Sequence, residues 1–296
     1  MASIPVNKDA WIHLKGKTVL ITGGSNGIGK TTVKLFAEQG ANVAIGDLDA
    51  VGGERLVQEL GSNVLFRRTN VTDWNSLREL FKQTFERFGS IDHVVANAAM
   101  PERDPFLLTD SFDEDGELAA PDLRILDVNT GGVMRTAKLA IHYFQKKNAR
   151  PGGSLVVVGS AASYFPTAPI IRYCATKHAA LGLVRTIAYM SKTLGVRANL
   201  IAPWMTETGF SSEVRQMWGD MPINTMVEVA EAILVACADS SLNGRALYVA
   251  KEIVDFEEPL HRHRESWMSK HQAELFDKGR VKLAAGMSLP TEHYLD

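Results

Sequence analysis

The stretch Thr22-Gly23-Gly24-Ser25-Asn26-Gly27-Ile28-Gly29 constrains the fold of this chain more than any other. It follows the apolar run Thr18-Val19-Leu20-Ile21 and leads into Lys30 to Gln39, where Val33, Leu35, Phe36 and Ala37 suit a helix. A buried strand, a glycine turn and a helix N-terminus leave unpaired backbone N–H groups at one spot, and the helix dipole adds positive charge there. Such a turn binds anions. Gly23 suits the tight turn, Gly27 the close approach of a pyrophosphate, and Gly29 the close packing of helix on strand. The next apolar run, Val43-Ala44-Ile45, passes through Gly46 to Asp47. A carboxylate there is spaced to accept both adenosine-ribose hydroxyls of a dinucleotide. Together these features predict a nucleotide-binding first unit.

The rest of the chain keeps the same rhythm. Apolar runs at 18–21, 43–45, 64–66, 94–96, 155–158 and 197–201 alternate with helix-length segments at 30–39, 51–60, 73–88, 128–147 and 174–194. Short, nearly all-apolar strands separated by helices argue for a parallel sheet buried on both faces. Right-handed crossovers then predict an α/β fold: a doubly wound, Rossmann-type parallel sheet with helices on both faces and a C-terminal extension. No linker rich in Pro, Gly or Ser divides the chain, so the expectation is one domain over residues 1–296, its core at about 15–250. Asp73 and Thr176 are candidate N-caps.

Two regions break the rhythm. Residues 101–122, with Pro101, Pro105, Pro121 and Asp113-Glu114-Asp115, predict an irregular excursion at the carboxyl end of the fourth strand. In the tail, 251–296, Leu260 to Lys278 suits a helix starting near Pro259 and stopping at Gly279, with Trp267, Met268, His271 and Leu275 on one face. That pattern fits a docked surface helix or an element that shapes the substrate pocket. A net charge of −2 gives no nucleic-acid footprint. Two cysteines, no leader-like N-terminus and no apolar run of membrane-spanning length lead to the expectation of a cytoplasmic protein without membrane contact.

The densest chemistry lies in Tyr173-Cys174-Ala175-Thr176-Lys177. Four residues apart on a helix, Tyr173 and Lys177 share a face, where an ammonium favours the phenolate. The spacing alone is equally that of ordinary helix-surface residues. Ser160 ends the run Leu155-Val156-Val157-Val158-Gly159, at the strand end where ligands meet an open parallel sheet. Arg172 and His178 flank the pair but point elsewhere on the helix. Cys174 has no visible base partner, and His261 and His263 lack a third ligand, so no metal site is expected.

These residues together resemble the short-chain dehydrogenase/reductase family, non-extended branch, over roughly residues 15–250. The family's glycine motif falls on Thr22, Gly23, Gly27 and Gly29, and its Asn-Ala-Gly motif on Asn97-Ala98-Ala99, with alanine in the last place. Its helix asparagine matches Asn129, its serine Ser160, and its Tyr-x-x-x-Lys motif Tyr173 and Lys177. Its segment after the sixth strand matches Pro203-Trp204-Met205-Thr206-Glu207-Thr208. The resemblance implies an oxidoreductase in which Tyr173 exchanges a proton with substrate, Ser160 holds the same oxygen, Lys177 supports both tyrosine and nicotinamide ribose, and Asn129 anchors a water relay. It implies cofactor contacts from Thr22, Gly23, Ser25, Asn26, Gly27, Ile28, Gly29, Asp47, Asn70, Val71, Asn97, Ala98, Ala99, Tyr173, Lys177, Pro203, Thr206 and Thr208. It also implies a lid at about 204–224 and a homodimer or homotetramer paired through the helices at 128–147 and 174–194.

Departures sharpen the reading. Asn70-Val71 replaces the usual Asp-Val at the adenine, Trp204 replaces a common glycine, and Ala250-Lys251-Glu252 stands where a glycine pair is frequent. Asp47 and Asp49, with no Lys or Arg at Gly24, Ser25, Asn26 or Leu48, point to NAD rather than NADP, although Arg67 or Arg68 could offset part of that. Candidate substrate walls are Met100, Pro101, Phe106, Ala162, Tyr164, Phe165, Trp204, Met205, Phe210 and Trp218. They favour a bulky, largely apolar secondary alcohol or ketone. The excursion and tail resemble, more distantly, fungal secondary-metabolite members and hydroxyprostaglandin dehydrogenases. A ketone reductase running in reverse, and an inactive cofactor-binding scaffold, are the alternatives.

Overall fold

The strands hold the alternation their sequences require. In β1 (Thr18–Thr22), Leu20 turns to one side of the sheet while Val19 and Ile21 turn to the other, and all three are fully buried. The computed structural model describes residues 3–102, 104, 107–146, 152–208, 216, 218–257, 266 and 268–286. It holds one eight-stranded sheet in the order β3-β2-β1-β4-β5-β6-β7-β8. Its strands are β1, β2 (Asn42–Asp47), β3 (Val64–Arg68), β4 (His93–Ala96), β5 (Gly153–Val158), β6 (Val196–Pro203), β7 (Ala246–Ala250) and β8 (Glu252–Asp255). The first seven are parallel, as the apolar runs predict.

Helices cover both faces. One face packs on α3 (Trp74–Phe88), α5 (Val133–Gln145) and α6 (Ile171–Tyr189), through Leu77, Phe81, Phe144 and Val184. The other packs on α1 (Gly27–Glu38), α2 (Ala50–Leu60) and α8 (Met226–Ala238), through Val33, Phe36, Leu56 and Ile233. The strand order reverses between β1 and β4, so a crevice opens at their carboxyl ends. The glycine turn and Asn97-Ala98-Ala99 both begin there.

Several boundaries differ from the sequence reading. α1 begins at Gly27, so the turn itself supplies the first helical N–H groups. Asp73 caps α3 by accepting the Asn75 N–H, as its type requires. Thr176 does not cap α6, which starts at Ile171; its hydroxyl donates to Tyr173 O at 2.7 Å. The segment expected at 128–147 is three pieces: α4 (Arg124–Leu126), a π turn (Asp127–Gly132) and α5. After α6 comes α7 (Ser191–Leu194). The antiparallel β8 pairs with β7 across Lys251, a left-handed residue at φ 64° in place of a glycine. Its backbone N–H donates to Asn224 Oδ1 at 2.9 Å and its ammonium meets Glu228 at 3.2 Å, which hold that backbone in place. The tail helix α9 (Lys270–Gly286) runs through Gly279 rather than stopping there. Pro259, Leu260, His261, His263 and Trp267 lie outside the described residues, as do Pro105, Phe106 and Phe210.

Candidate active site

At the glycine turn, a side chain has no room. A Cβ on Gly29 would stand 2.0 Å from Gly23 O and 2.6 Å from Asn97 Nδ2, and one on Gly23 would meet Ala98 Cα at 2.8 Å. Gly23 and Gly27 both take positive φ, 68° and 54°. Thr22 and Asn97 hold the turn against β4. Thr22 Oγ1 accepts the N–H groups of Asn97 and Ala98 at 3.2 Å, and Asn97 Nδ2 donates to Gly23 O at 2.7 Å. Asn26 caps α1 with no side-chain bond, which leaves its first N–H groups facing the crevice. Its amide instead donates to Asp49 Oδ2 at 3.1 Å. Among the described residues Ser25 Oγ is buried without a partner. A cradle that only glycine permits, free helical N–H groups and an orphaned hydroxyl fit the phosphates of a dinucleotide.

Asp47 ends β2 with its carboxylate fixed from both sides. Oδ2 accepts the Ser25 N–H at 2.9 Å and Oδ1 the Asp49 N–H at 3.0 Å. Asn70 Oδ1 accepts both the N–H and the hydroxyl of Thr72, at 3.0 and 2.9 Å, within its own exposed turn. Val71 is buried against Gly132, where an added Cβ would meet it at 2.7 Å.

One cavity of about 500 Å³ joins the turn to the carboxyl ends of β5 and β6. Among the residues singled out from sequence, Asn26, Ile28, Gly29, Asn97, Ala99, Ser160, Tyr173, Lys177, Pro203, Thr206 and Thr208 line it. Lys177 is buried, donates to Val158 O at 2.9 Å, and holds its ammonium 5.3 Å from the Tyr173 ring centre. Ser160 opens a short 3-10 turn, where its hydroxyl accepts the Ala162 N–H at 3.2 Å. Asn129 lies in the π turn rather than on the cavity wall. It accepts the Met100 N–H at 2.8 Å, donates to Met100 O at 3.0 Å, and reaches Thr176 Oγ1 at 3.4 Å, joining the exit of β4 to α6.

The walls divide. Pro101, Ala162, Trp204, Met205 and Trp218 line the cavity, with the two indoles 5.7 Å apart. Met100, Tyr164 and Phe165 do not. Tyr164 turns to Phe256, 5.2 Å between ring centres, and donates to the buried Glu257, which also pairs with Arg185 at 2.8 Å. Burial, reinforced by Glu257, pushes the Tyr164 phenol far above its ordinary value, so it stays neutral.

Three residues went unrecognised in the sequence or were read as surface. Arg172, expected to point outward, is 5% exposed. It bonds Glu102 at 3.0 Å, Asp104 at 2.5 Å and Asp122 O at 2.6 Å. Burial acts to lower its pKa, but the hydrogen bonds to Glu102 and Asp104 outweigh that and raise it. Glu102 lines the cavity beside Tyr173. Asn224, 1% exposed, ties the segment after β6 to β7: it donates to Val249 O at 2.6 Å, and its backbone bonds Met205 O and the Glu207 N–H.

A family model described as short chain dehydrogenase matches residues 17–218, most of the span that carries this geometry. The chain belongs to the short-chain dehydrogenase family. It is an oxidoreductase by class. The short-chain dehydrogenase/reductase ascJ of Acremonium egyptiacum is 34% identical over 254 residues, covering 85% of this chain and 84% of that protein. The 5'-hydroxyaverantin dehydrogenase of Dothistroma septosporum is 31% identical over 262 residues, covering 81% and 86%. Among solved structures, a 7 alpha-hydroxysteroid dehydrogenase complexed with NADH and 7-oxo glycochenodeoxycholic acid superposes with a TM-score of 0.71 at 25% identity. The match covers 82% of this chain and 96% of that one. Among the described residues no helix is long and apolar enough to cross a membrane, and no group of three or more His, Cys, Asp or Glu could hold a metal ion.

Proposed function

We propose that this chain is an NAD-dependent oxidoreductase acting between a bulky, largely apolar secondary alcohol and its ketone, with Tyr173 as the acid/base. The observation that carries the reading is the single cavity that runs from the glycine turn to Ser160, Tyr173 and Lys177 and ends on Trp204 and Trp218. A nicotinamide dinucleotide, when bound, supplies the hydride acceptor or donor. Its pyrophosphate would lie on Ser25 to Gly29, its adenosine ribose on Asp47, and its nicotinamide ribose on Tyr173 and Lys177. Tyr173 takes the alcohol proton as carbonyl character develops, or returns it in the reverse direction. Ser160 donates its hydroxyl to the same oxygen and fixes the angle of approach. The Lys177 ammonium supports negative charge on the tyrosine oxygen during transfer.

The paired indoles favour a ring system over a small polar substrate. The solved hydroxysteroid dehydrogenase supports this, since it is named for a steroid substrate. Reduction of a ketone uses the same groups in reverse. Two variants test the mechanism with NAD and a panel of cyclic and aromatic secondary alcohols. Tyr173→Phe should abolish turnover and leave NAD affinity nearly unchanged, while Lys177→Ala should damage both. A Tyr173→Phe enzyme that keeps most of its kcat removes Tyr173 from the role. NAD binding by the wild type without turnover of any panel member would favour the scaffold alternative.

A further inference from the structure

The helix that carries Tyr173 and Lys177 starts without a cap of its own. Its N-cap residue, Ile170, makes no side-chain bond, yet the first N–H groups of a helix need acceptors. Tyr173 is the third residue of α6, and its backbone N–H donates to Glu102 Oε2 at 2.8 Å, a carboxylate supplied from 71 residues upstream. Glu102 Oε1 meets Arg172 Nε at 3.0 Å, and both side chains are nearly sealed from solvent, 1% and 6% exposed. A buried guanidinium at the positive end of a helix has no local reason to be there; its partners explain it. Beyond Glu102, Arg172 donates to Asp104 O at 3.1 Å, the Asp104 carboxylate at 2.5 Å and Asp122 O at 2.6 Å. One arginine, next to Tyr173 in sequence, therefore gathers both ends of the 101–122 excursion.

We propose that Glu102, held by Arg172, is a positioning residue for Tyr173: it caps α6 from the excursion and so fixes where the tyrosine stands in the cavity. This rests on the reading of Tyr173 as the acid/base. The carboxylate has two duties, acceptor for the Tyr173 N–H and counter-charge for Arg172. They separate on substitution. Glutamine keeps an acceptor oxygen, whereas methionine keeps the volume and removes acceptor and charge together.

The experiment compares Glu102→Gln and Glu102→Met with wild type, measuring kcat and KM for one cyclic secondary alcohol and the Kd of NADH by fluorescence. All rates are taken per NADH-binding site, so that unfolded protein is not counted. Glu102→Met should lose about ten- to a hundredfold in kcat, the scale of a small misplacement of a reacting group, with NADH Kd within about twofold. Glu102→Gln should recover most of that loss. If Glu102→Met fails to fold, Glu102→Met with Arg172→Met removes the unpaired guanidinium, still lacks the cap, and should show the same fall. Unchanged kcat in the methionine variants, or equal losses in the Gln and Met variants, overturns the proposal. A Tyr173→Phe control separates the two readings. Activity retained there defeats the acid/base assignment itself, whereas a dead control beside a fully active Glu102→Met defeats only the positioning role.

Discussion

Replacing Asp47 by asparagine should weaken a preference for NAD over NADP, and the size of the change follows from how the carboxylate is held. Its two oxygens accept N–H groups from Ser25 and Asp49, at 2.9 and 3.0 Å, so it cannot swing away from a 2′-phosphate placed against it. Asp49 adds a second charge nearby. Hydrogen bonds from Gly52 and Asn26 hold its pKa below the ordinary value, so it is ionised at neutral pH. Arg68 sits beside Asp47 in register and Arg67 beside Gly46, yet among the described residues the carboxylate bonds the Ser25 and Asp49 N–H groups rather than either arginine. Unit charges at about 5 Å repel by about 3 kcal/mol at an effective dielectric of about 20, and partial exposure reduces this to about 2 kcal/mol, or about thirtyfold. Asparagine is the cleaner variant because one acceptor remains for the two N–H groups, while alanine strands both. The assay is kcat/KM for NAD and NADP with one shared alcohol at fixed ionic strength. Wild type should prefer NAD by more than about tenfold, and Asp47→Asn should close most of the gap. Equal use of both cofactors by wild type refutes the charge argument, and an unchanged ratio in the variant shows that Asp47 is not its source.

Gly29→Ala places a methyl group 2.0 Å from Gly23 O, so it should destabilise the fold by about 1–3 kcal/mol and sharply weaken NADH binding; urea unfolding and fluorescence titration check both. Glu228 forms a capping box with Thr225 at the start of α8. Burial acts to raise its pKa, but bonds from Thr225 and Lys251 outweigh that and hold it below the ordinary 4.5. A lowered folded-state pKa means stability present above about 4.5 and lost as pH falls through the folded value, so Glu228→Gln should be destabilised at pH 7 and converge on wild type in acid. A gap that stays constant down to acid pH contradicts this. Pairing of subunits through α5 and α6 should give a dimer or tetramer, and sedimentation velocity at micromolar concentration that finds monomer alone rejects it.

The parts of the fold that could be read from sequence are those whose signal lies within one element. Val19, Leu20 and Ile21 announce a strand buried on both faces because each finds apolar cover wherever it points. α8 escaped notice for the same reason in reverse: Val229, Ala230, Ala232, Ile233, Leu234, Val235, Ala236 and Cys237 are all buried, so no polar stripe marks the helical period. Thr225-Met226-Val227-Glu228 carries the other signal, a four-residue capping box before an apolar run. Arg172 shows the stronger limit. Its neighbours along the helix say surface; only Glu102, Asp104 and Asp122, from an excursion without periodicity, say buried. Tyr164 and Asn224 also take their partners from other elements, Glu257 at 93 residues and Val249 at 25.

The motif residues themselves fall into two groups once their bonds are traced. Thr22 and Asn97 spend their polar groups on each other and on the turn, across 75 residues of chain. Asn129 spends its own on Met100 and Thr176. Ser160, Tyr173 and Lys177 line the cavity, as Asn97 does with its amide committed to the turn. A sequence motif does not distinguish the groups, because a residue that shapes a site and one that works in it are equally required. Geometry does. The π turn carries Asn129 at the level where its amide bonds Met100, beyond the end of β4. Met100 follows Asn97-Ala98-Ala99 directly, so the same amide that joins β4 to α6 also fixes the path by which the chain leaves the cofactor side of the crevice and enters the excursion at Pro101 and Glu102. Glycine turn, asparagine and tyrosine helix thus form one bonded frame, and a substitution in any part of it should be read first for what it does to the other two.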